Sequence, residues 1–225
     1  MKSSNTEKLQ VRAMTVAGHN RDVLRRARAF TVSVVGGPGC GKTSLIDATI
    51  ERLMPEVHVG VIACDVASHL DADRMSRHSE QVVQVNTGGA GVLDPTHIRD
   101  ALEWMDVNWL DVLFIENVGT LVGPGVIDLG QDVTVAMFSV AAGDDKAEKH
   151  ADIVRAADVI VLSKIDLLAS VPFDVAHFRA DVKRINPAAK LFEVSALRGE
   201  GLQGWLEWVK KPSKPVHYRA SAWFG

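Results

Sequence analysis

The segment of residues 36–43 constrains the fold of this chain more than any other part of the sequence. It reads Gly-Gly-Pro-Gly-Cys-Gly-Lys-Thr and fits the pattern G-x-x-x-x-G-K-[ST]. It follows an apolar, β-branched run and precedes an amphipathic stretch, which is the context in which this pattern binds phosphate. A glycine-rich turn without a ligand is the alternative, and the context disfavours it. The sequence therefore predicts a phosphate-binding loop between a strand and a helix.

Each residue type in this loop has a chemical role. Glycines allow successive backbone N–H groups to point at phosphate oxygens, and the start of the following helix adds a positive dipole. Lys42 is expected to reach the β- and γ-phosphate oxygens, and the Thr43 hydroxyl to ligate Mg²⁺. Cys40 is predicted to be a small filler rather than a redox or metal-binding group. The predicted phosphate-binding residues are Gly37, Pro38, Gly39, Cys40, Gly41, Lys42, Thr43 and Ser44.

Strand and helix patterns alternate along the rest of the chain. Apolar, β-branched runs predict seven strands, at residues 30–35, 57–64, 81–85, 110–115, 133–140, 159–163 and 191–195. Helical spacing recurs at residues 43–54, 95–104, 146–156, 175–185 and 202–209. Such alternation requires crossover connections. The predicted fold class is α/β: a single-domain P-loop NTPase with a mostly parallel seven-stranded sheet and helices on both faces.

Capping residues predict two helix starts. Asn20 precedes the amphipathic stretch 21–29, so a helix is expected to begin there and lead into the first strand. Asp94 followed by Pro95 is typical of a helix N-terminus. Four tryptophans at helical or strand-flanking positions are expected to pack in the core: Trp104, Trp109, Trp205 and Trp208.

Charge is distributed unevenly. The formal net charge is −3, but residues 1–30 carry +5 and residues 210–225 carry +4, which leaves −12 on the body between them. An acidic body argues against nucleic-acid binding, because that requires a positive face. We expect one domain over residues 1–225, made of an N-terminal helical extension (1–29), a P-loop core (30–209) and a basic C-terminal tail (210–225). The tail contains Trp223 and Phe224, and two interpretations are open for it: the aromatics dock on a partner, or the tail is disordered.

The sequence also predicts where the protein works. No apolar run approaches the roughly 20 residues that a membrane-spanning helix requires. The two cysteines, Cys40 and Cys64, are too few for a disulfide framework in a chain of 225 residues. A cytoplasmic protein that binds no membrane is therefore expected.

Two later motifs indicate which nucleotide the chain binds. Ser163-Lys-Ile-Asp166 follows the sixth predicted strand; the Asp166 carboxylate can accept two hydrogen bonds from the edge of guanine, a pair that adenine cannot offer. The stem of Lys164 is expected to lie over the base. The loop after the seventh strand is expected to offer a backbone N–H to guanine O6 and consists of Ser195, Ala196 and Leu197. Together with Asp65 and Glu116-Asn-Val-Gly119, which also follow strands, these motifs favour GTP over ATP, because α/β sheets bind ligands where their strands end.

Acidic residues that follow two other strands are candidates for the metal and for catalysis. Asp65 and Glu116 are expected to hold Mg²⁺ together with Thr43, and Lys42, Asp65 and Glu116 form the predicted catalytic set. The backbone N–H of Gly119 can contact the γ-phosphate. Some GTPases place a glutamine where this chain has Thr120, so the attacking water must be oriented by Asp65, Asp71 or Glu116, or by a group from across a dimer. Slow GTP hydrolysis to GDP and phosphate is expected from the chain alone.

Taken together, these motifs resemble a known family. The resemblance rests on the phosphate loop, Glu116-Asn-Val-Gly-Thr-Leu-Val-Gly-Pro124, Asp128-Leu-Gly130, Ser139 with Gly143-Asp-Asp-Lys146, Ser163-Lys-Ile-Asp166 and Asn186-Pro187. Over residues 19–209 the chain is similar to the hydrogenase-maturation GTPases (HypB-like), relatives of the urease accessory GTPases. The resemblance implies a switch that forms a homodimer when GTP is bound and helps insert nickel into an apo-metalloenzyme client, with a small metallochaperone partner. It also implies that Lys146 reaches the nucleotide of the opposite subunit.

The chain departs from this family at the positions that bind nickel or zinc. Asn86-Thr-Gly88 is present, but the Cys-His pair that follows it in the family is Gly91-Val92 here, and a later cysteine is Gly123. Neither glycine nor valine has a side chain that ligates metal. We therefore expect Mg²⁺ to be the only bound metal. Ser163 replaces an asparagine, which is expected to lose one hydrogen bond to the phosphate loop.

Three alternatives stay open at this point. A P-loop regulatory or activation GTPase for a non-nickel enzyme would have the same nucleotide motifs, and so would a module that binds GTP without productive hydrolysis. A small-molecule P-loop kinase would share the phosphate loop, but it would leave Lys164 and Asp166 without a role and would need a lid-like insertion.

Overall fold

The computed structural model describes residues 2–64, 81–87, 92–117 and 127–210, with side chains from residue 8 onward. The strands are β1 Phe30–Gly36, β2 Val59–Cys64, β3 Gln81–Val85, β4 Val112–Glu116, β5 Val133–Ser139, β6 Val159–Ser163 and β7 Lys190–Val194. The helices are α1 Lys2–Ala27, α2 Lys42–Leu53, α3 Pro95–Leu102, α4 Lys146–Lys149, α5 Ala151–Ala156, α6 Val175–Ile185 and α7 Leu202–Lys210. Short 3-10 turns lie at Val107–Trp109, Val140–Ala142 and Ile165–Leu167.

The strands form one seven-stranded sheet in the order β3-β2-β4-β1-β5-β6-β7. Every paired strand runs parallel to its neighbour. The chain moves to one side of β1 for β2, β3 and β4 and to the other side for β5, β6 and β7. A reversal of this kind opens a crevice at the carboxyl end of the central strand, where open α/β sheets bind ligands. The phosphate loop follows β1 and therefore lies at this crevice.

Helices cover both faces of the sheet, as the alternating pattern predicts. On one face α2 and α7 pack against alternate residues of the strands, and Trp205 is fully buried there. The other face has two clusters, one formed by α1 and α3 over β2 and β4 and one by α5 and α6 over β5 and β6. The prediction of an α/β P-loop domain is confirmed. The finer division into extension, core and tail stays a prediction.

The N-terminal helix differs from the expectation. It begins at Lys2 rather than after Asn20, and it ends at Ala27, where Arg28 takes a positive φ of 62°. The prediction that Asn20 caps a helix is wrong: Asn20 lies inside α1, is fully buried, and uses its amide in tertiary hydrogen bonds. Asn and Asp favour caps because they bond nearby backbone groups, and distant partners override that preference here.

Other local predictions had mixed outcomes. Asp94 caps α3 as expected, since its carboxylate accepts hydrogen bonds from the N–H groups of Thr96 (2.8 Å) and His97 (3.0 Å). The single helix expected over residues 146–156 is two helices, because His150 leaves helical geometry at φ −118° and ψ 41°. Among the described residues, no helix has the length and apolar character needed to cross a membrane.

The tryptophan prediction is only partly right. Trp205 is buried and donates its indole N–H to Thr49 Oγ1 at 2.8 Å, and Trp208 is half-buried against its ring. Trp104 and Trp109 were expected in the core but are 85% and 52% exposed. Trp104 follows the end of α3, and Trp109 stacks on His58 with the ring centres 4.3 Å apart. Trp104 lies past the last residue of α3 and Trp109 lies in the 3-10 turn before β4, so neither is on a helix face that packs against the sheet.

Aspartates hold the strand connections at the amino edge of the sheet, opposite the phosphate loop. Each precedes one strand and accepts a hydrogen bond from a backbone N–H at the start of a neighbouring strand. The pairs are Asp111 with His58 (2.8 Å), Asp132 with Thr31 (2.9 Å) and Asp158 with Thr134 (2.8 Å). Burial raises the pKa of Asp158, and the hydrogen bond from Thr134 offsets only part of that shift. These hydrogen bonds help to fix the register of the strands, and the register determines where each strand ends at the opposite edge.

Candidate nucleotide-binding site

The phosphate loop runs from the end of β1 at Gly36 to the start of α2 at Lys42. Gly39 and Gly41 have φ angles of +69° and +94°, which residues with side chains rarely adopt. A Cβ on Gly36 would lie 2.7 Å from both Cys40 Sγ and the carbonyl oxygen of Met137, so only glycine fits there. The loop is thus a tight backbone turn. Gly37 is half-buried, whereas Pro38 and Ser44 are exposed at its two sides.

Lys42 is held inside this turn. Its side chain points back over the loop, and Nζ donates hydrogen bonds to the carbonyl oxygens of Gly36 (3.0 Å) and Gly37 (3.4 Å). The residue is 8% exposed. A buried ammonium beside a tight glycine-rich turn is suited to bind phosphate oxygens, because phosphate accepts hydrogen bonds from both ammonium and backbone N–H groups.

Cys40 fills the space beneath the loop. It is 5% exposed, and burial raises the pKa of its thiol; the charge of Lys42 opposes this only partly. The thiol is therefore neutral near pH 7 and behaves as a small apolar group.

Glu116, at the end of β4, places a carboxylate next to the phosphate loop. Thr43 Oγ1 donates a 2.7 Å hydrogen bond to Oε1 of Glu116, the last residue of β4. β4 pairs directly with β1, and the N–H of Asn117 continues this pairing by donating to the carbonyl oxygen of Val34 (3.1 Å). A hydroxyl and a carboxylate oxygen are hard ligands of the type Mg²⁺ takes in proteins. The residues present therefore fit a magnesium ion at this place.

A second loop meets the phosphate loop from β6. Ser163 Oγ lies 2.5 Å from the carbonyl oxygen of Cys40 and 3.0 Å from that of Phe138, and Lys164 Nζ donates to the carbonyl oxygen of Gly39 at 2.7 Å. Lys164 has a positive φ of 60°, and Asp166 follows in the 3-10 turn, half-buried. Ser163 thus keeps one hydrogen bond to the phosphate loop, and the expectation that it makes one fewer than the family's asparagine stays a prediction.

The loop after β7 lies beside the loop after β6, because β7 pairs with β6. Ser195 is fully buried; its Oγ accepts a hydrogen bond from Arg198 N–H (3.0 Å), and its carbonyl oxygen accepts one from Gly199 N–H (2.8 Å). Ala196 is half-buried and Leu197 is 86% exposed. These bonds fix a tight turn that keeps its backbone at the same edge of the sheet as Ser163.

Of the other predicted residues, one lies within the described part of the chain and the rest lie outside it. Lys146 opens α4, beyond β5, and is half-buried. Asp65, Asp71, Gly119 and Thr120 lie outside the described residues, as do Trp223 and Phe224. Within the described ranges, no group of three or more His, Cys, Asp or Glu side chains is arranged to hold a metal ion.

Two buried amides make contacts that the sequence did not predict. Asn117 is 7% exposed, and its Oδ1 accepts a hydrogen bond from the N–H of Leu93 at 3.2 Å. Asn20 donates to the carbonyl oxygens of Pro95 (2.8 Å) and Leu129 (3.1 Å). No local pattern in the sequence predicts these contacts, because each joins segments far apart in the chain.

A parallel sheet with a glycine-rich turn, a buried lysine and a hydroxyl after its central strand defines a P-loop NTPase. The family model for the CobW/HypB/UreG nucleotide-binding domain matches residues 30–193, which include every described strand except the last residue of β7. The chain belongs to this family of P-loop GTPases.

Relatives and solved structures agree with this assignment. A probable hydrogenase maturation factor HypB from Methanocaldococcus jannaschii is 39% identical over 201 residues, covering 89% of this chain and 91% of the relative. The hydrogenase maturation factor HypB of Azotobacter vinelandii is 40% identical over 195 residues, covering 87% of this chain and only 64% of that protein. This chain thus spans just under two thirds of the Azotobacter relative.

The fold is also similar to two crystal structures of HypB. The protein from Archaeoglobus fulgidus gives a TM-score of 0.84 at 38% identity, covering 89% of this chain and 98% of that one. The protein from Helicobacter pylori, solved in complex with nickel, gives 0.82 at 25% identity, covering 88% and 93%.

Proposed function

We propose that this protein is a GTP-binding and GTP-hydrolysing switch of the metallochaperone type, which assists metal insertion into a hydrogenase-type metalloenzyme. The observation that carries the proposal is the direct contact between the β6 loop and the phosphate loop, through Ser163 to Cys40 and Lys164 to Gly39. One nucleotide can span the two loops, with its phosphates in one and its base beside the other. Asp166 then supplies the acceptor that distinguishes guanine from adenine.

The phosphate end supports hydrolysis as well as binding. Lys42 offers a buried positive charge to the developing charge on the γ-phosphate, while Thr43 and Glu116 would hold Mg²⁺ together with Asp65. Bound Mg²⁺ would neutralise charge on the β- and γ-phosphate oxygens. Glu116 or Asp65 would orient the attacking water. Gly119 would contact the γ-phosphate through its backbone N–H.

The role in metalloenzyme maturation rests on the relatives. Those from M. jannaschii and A. vinelandii are hydrogenase maturation factors, at 39% and 40% identity over most of this chain. By analogy we expect a homodimer when GTP is bound, with Lys146 facing the partner's nucleotide. A small metallochaperone and an apo-metalloenzyme are the expected partners. Since Gly91, Val92 and Gly123 have no metal-ligating side chains, the switch would act without a transition-metal site at those positions.

The proposal is tested by comparing GTP with ATP for the full chain and for Asp166→Asn. A hydrogen bond to a charged group contributes about 1.5–3 kcal/mol, so we expect Asp166→Asn to reduce the preference for GTP by roughly 10- to 100-fold. Asp152→Asn, at an exposed carboxylate on α5, is the matched control. Equal binding of ATP and GTP by the wild type would contradict the assignment of guanine and favour the kinase alternative.

Dimer-dependent catalysis is tested separately. With saturating GTP and Mg²⁺, we expect kcat to rise with protein concentration and to fall in Lys146→Ala. A constant kcat would contradict the dimer. Single-turnover hydrolysis no faster than the uncatalysed rate, with tight GTP binding retained, would instead favour a regulatory module that does not hydrolyse GTP.

A further inference from the structure

Asn20 connects three segments of the chain that are distant in sequence. It is fully buried within α1, and its Nδ2 group donates to the carbonyl oxygens of Pro95, at the start of α3, and of Leu129, ahead of β5. Its Oδ1 has no hydrogen-bond partner among the residues that the structure describes. The amide therefore joins α1 to both segments through its two N–H bonds alone.

Contacts around Asn20 make this connection rigid. The neighbouring Arg21 pairs with Asp128 at 2.5 Å. Gly130 has a φ of +100°, and a Cβ there would lie 2.8 Å from the Asn20 Cβ and 2.9 Å from the carbonyl oxygen of Ala17. The backbone of α1 thus packs directly on residues 128–130. Because tightly packed surfaces transmit displacements rather than absorbing them, α1 and this segment must move together.

The same contacts lead from Asn20 to the nucleotide site. Pro95 is two residues from Leu93, whose N–H donates to the side chain of Asn117. Asn117 follows Glu116, which accepts the hydrogen bond of Thr43 at the phosphate loop. Three hydrogen bonds, together with the short backbone stretches between them, therefore join the loop hydroxyl to α1. They run from Thr43 to Glu116, from Leu93 to Asn117 and from Asn20 to Pro95.

The first of these bonds must respond to the nucleotide. If Thr43 and Glu116 bind Mg²⁺, as the proposed function states, their oxygens turn to the ion when Mg²⁺ and nucleotide enter and their mutual bond changes. Residues 8–15 of α1 are all exposed, so this part of the helix is not buried against the described body of the domain. The stretch from Asn20 to Lys8 is about 18 Å of helix, so a small rotation of α1 at Asn20 produces a larger displacement at Lys8.

We propose that Asn20 is a positioning residue that couples the orientation of α1 to the nucleotide state of the site. The inference rests on the proposed function. Coupling free energies are reciprocal, so the contact that lets the nucleotide orient α1 also lets α1 change the relative affinity for GTP and GDP. No direct contact between Asn20 and the nucleotide is required.

The test compares Asn20→Ala with Leu24→Ala. Leu24 is 1% exposed one turn further along α1, so its loss weakens the packing of the helix and leaves the amide in place. For each protein, the dissociation constants of Mg-GDP and of Mg²⁺ with a non-hydrolysable GTP analogue are measured, along with Tm. We expect Asn20→Ala to change the ratio of the two constants by about fivefold, the lower end of typical couplings, and Leu24→Ala to lower Tm with the ratio unchanged.

A distance measurement gives the second readout. Nitroxide labels at Met14→Cys on α1 and Gln203→Cys on α7 report their separation by pulsed electron resonance, with the buried Cys40 and Cys64 left in place. In the otherwise wild-type background, the distribution should shift between the GDP and GTP-analogue states, and Asn20→Ala should abolish the shift. If Asn20→Ala does not fold, Asp128→Asn, which removes the charge that pairs with Arg21, is measured in its place.

The outcomes separate the two proposals. A wild-type separation that is the same in both nucleotide states, or an affinity ratio in Asn20→Ala equal to that of wild type, would overturn the coupling while leaving GTP binding intact. Failure of the wild type to bind either nucleotide would refute the proposed function and the coupling with it.

Discussion

The Thr43 hydroxyl and the Glu116 carboxylate lie 2.7 Å apart, although 73 residues separate them in the chain. Thr43 belongs to the first turn of α2 and Glu116 is the last residue of β4, so the contact exists only because β4 pairs in parallel with β1. It brings a hydroxyl and a carboxylate to the side of the phosphate loop at which a metal-bound nucleotide would lie.

Glu116→Gln should lower GTP turnover more than GTP binding. The amide keeps the shape of the side chain and can accept the bond from Thr43, but it removes the negative charge that would hold Mg²⁺ or orient water. We expect kcat to fall by about 100-fold or more, in line with typical losses of a general acid–base group. Steady-state phosphate release and nucleotide affinity at saturating Mg²⁺ measure this. Glu148→Gln, at an exposed carboxylate on α4, is the control, and an unchanged kcat in Glu116→Gln would remove Glu116 from catalysis.

Ser163→Ala should weaken nucleotide binding by separating the two loops. The change removes the hydroxyl that lies 2.5 Å from the carbonyl oxygen of Cys40 and leaves that buried acceptor without this donor. Loss of one partner of a buried hydrogen bond costs about 1–3 kcal/mol, so GTP affinity should fall by roughly 5- to 100-fold. Fluorescent-nucleotide titration measures it. Ser170→Ala, at an exposed position in the loop after β6, should have no effect, and equal affinities for Ser163→Ala and wild type would show that the contact does not support the site.

Asp158 should make stability depend on pH in a direction opposite to that of a salt-bridged aspartate. Burial raises its pKa in the folded protein above the unfolded value near 3.8, so the folded state binds the proton more tightly. Its contribution to the free energy of unfolding is then most favourable below the unfolded pKa and declines as pH rises through the raised folded pKa.

Asp158→Asn measures that contribution. The amide oxygen can still accept from Thr134 N–H, and the variant has no charge to titrate. We expect the free energy of unfolding of wild type, relative to Asp158→Asn, to fall as pH is raised from about 3.5 to 7 in urea denaturation series. Asp152→Asn, at an exposed carboxylate, should show no such trend. A rise in the relative stability of wild type with pH would contradict the prediction.

Nickel and zinc should bind this protein weakly. Gly91, Val92 and Gly123 replace the ligands that the resemblance assigns to a metal site, and the described part of the chain has no other cluster of suitable side chains. Calorimetry and metal analysis of the GTP-loaded protein should find Mg²⁺ but no stoichiometric nickel or zinc. Installing the missing pair as Gly91→Cys with Val92→His is the positive comparison, and tight one-to-one nickel binding by wild type would contradict the prediction.

The amino-acid sequence by itself determined the parts of this protein that depend on local geometry. The phosphate loop could be predicted because its glycines, Lys42 and Thr43 act within one turn of backbone, and the alternating strands and helices could be predicted because hydrophobic periodicity is a local property. The order of the motifs at strand ends then indicated a site at one edge of a parallel sheet, since every parallel strand ends at that edge.

The tertiary structure decided what depends on distant partners. Asn20 has the residue type of a helix cap, yet it lies buried inside α1. Its hydrogen bonds are accepted by the carbonyl groups of Pro95 and Leu129, which are 75 and 109 residues away in the chain. Trp104 has the periodicity of a core residue but follows the end of α3 and faces solvent. Ser163 reaches Cys40 only because β6 and the phosphate loop converge on one edge. A buried polar group must find a partner wherever the fold provides one, and that requirement cannot be read from neighbouring residues.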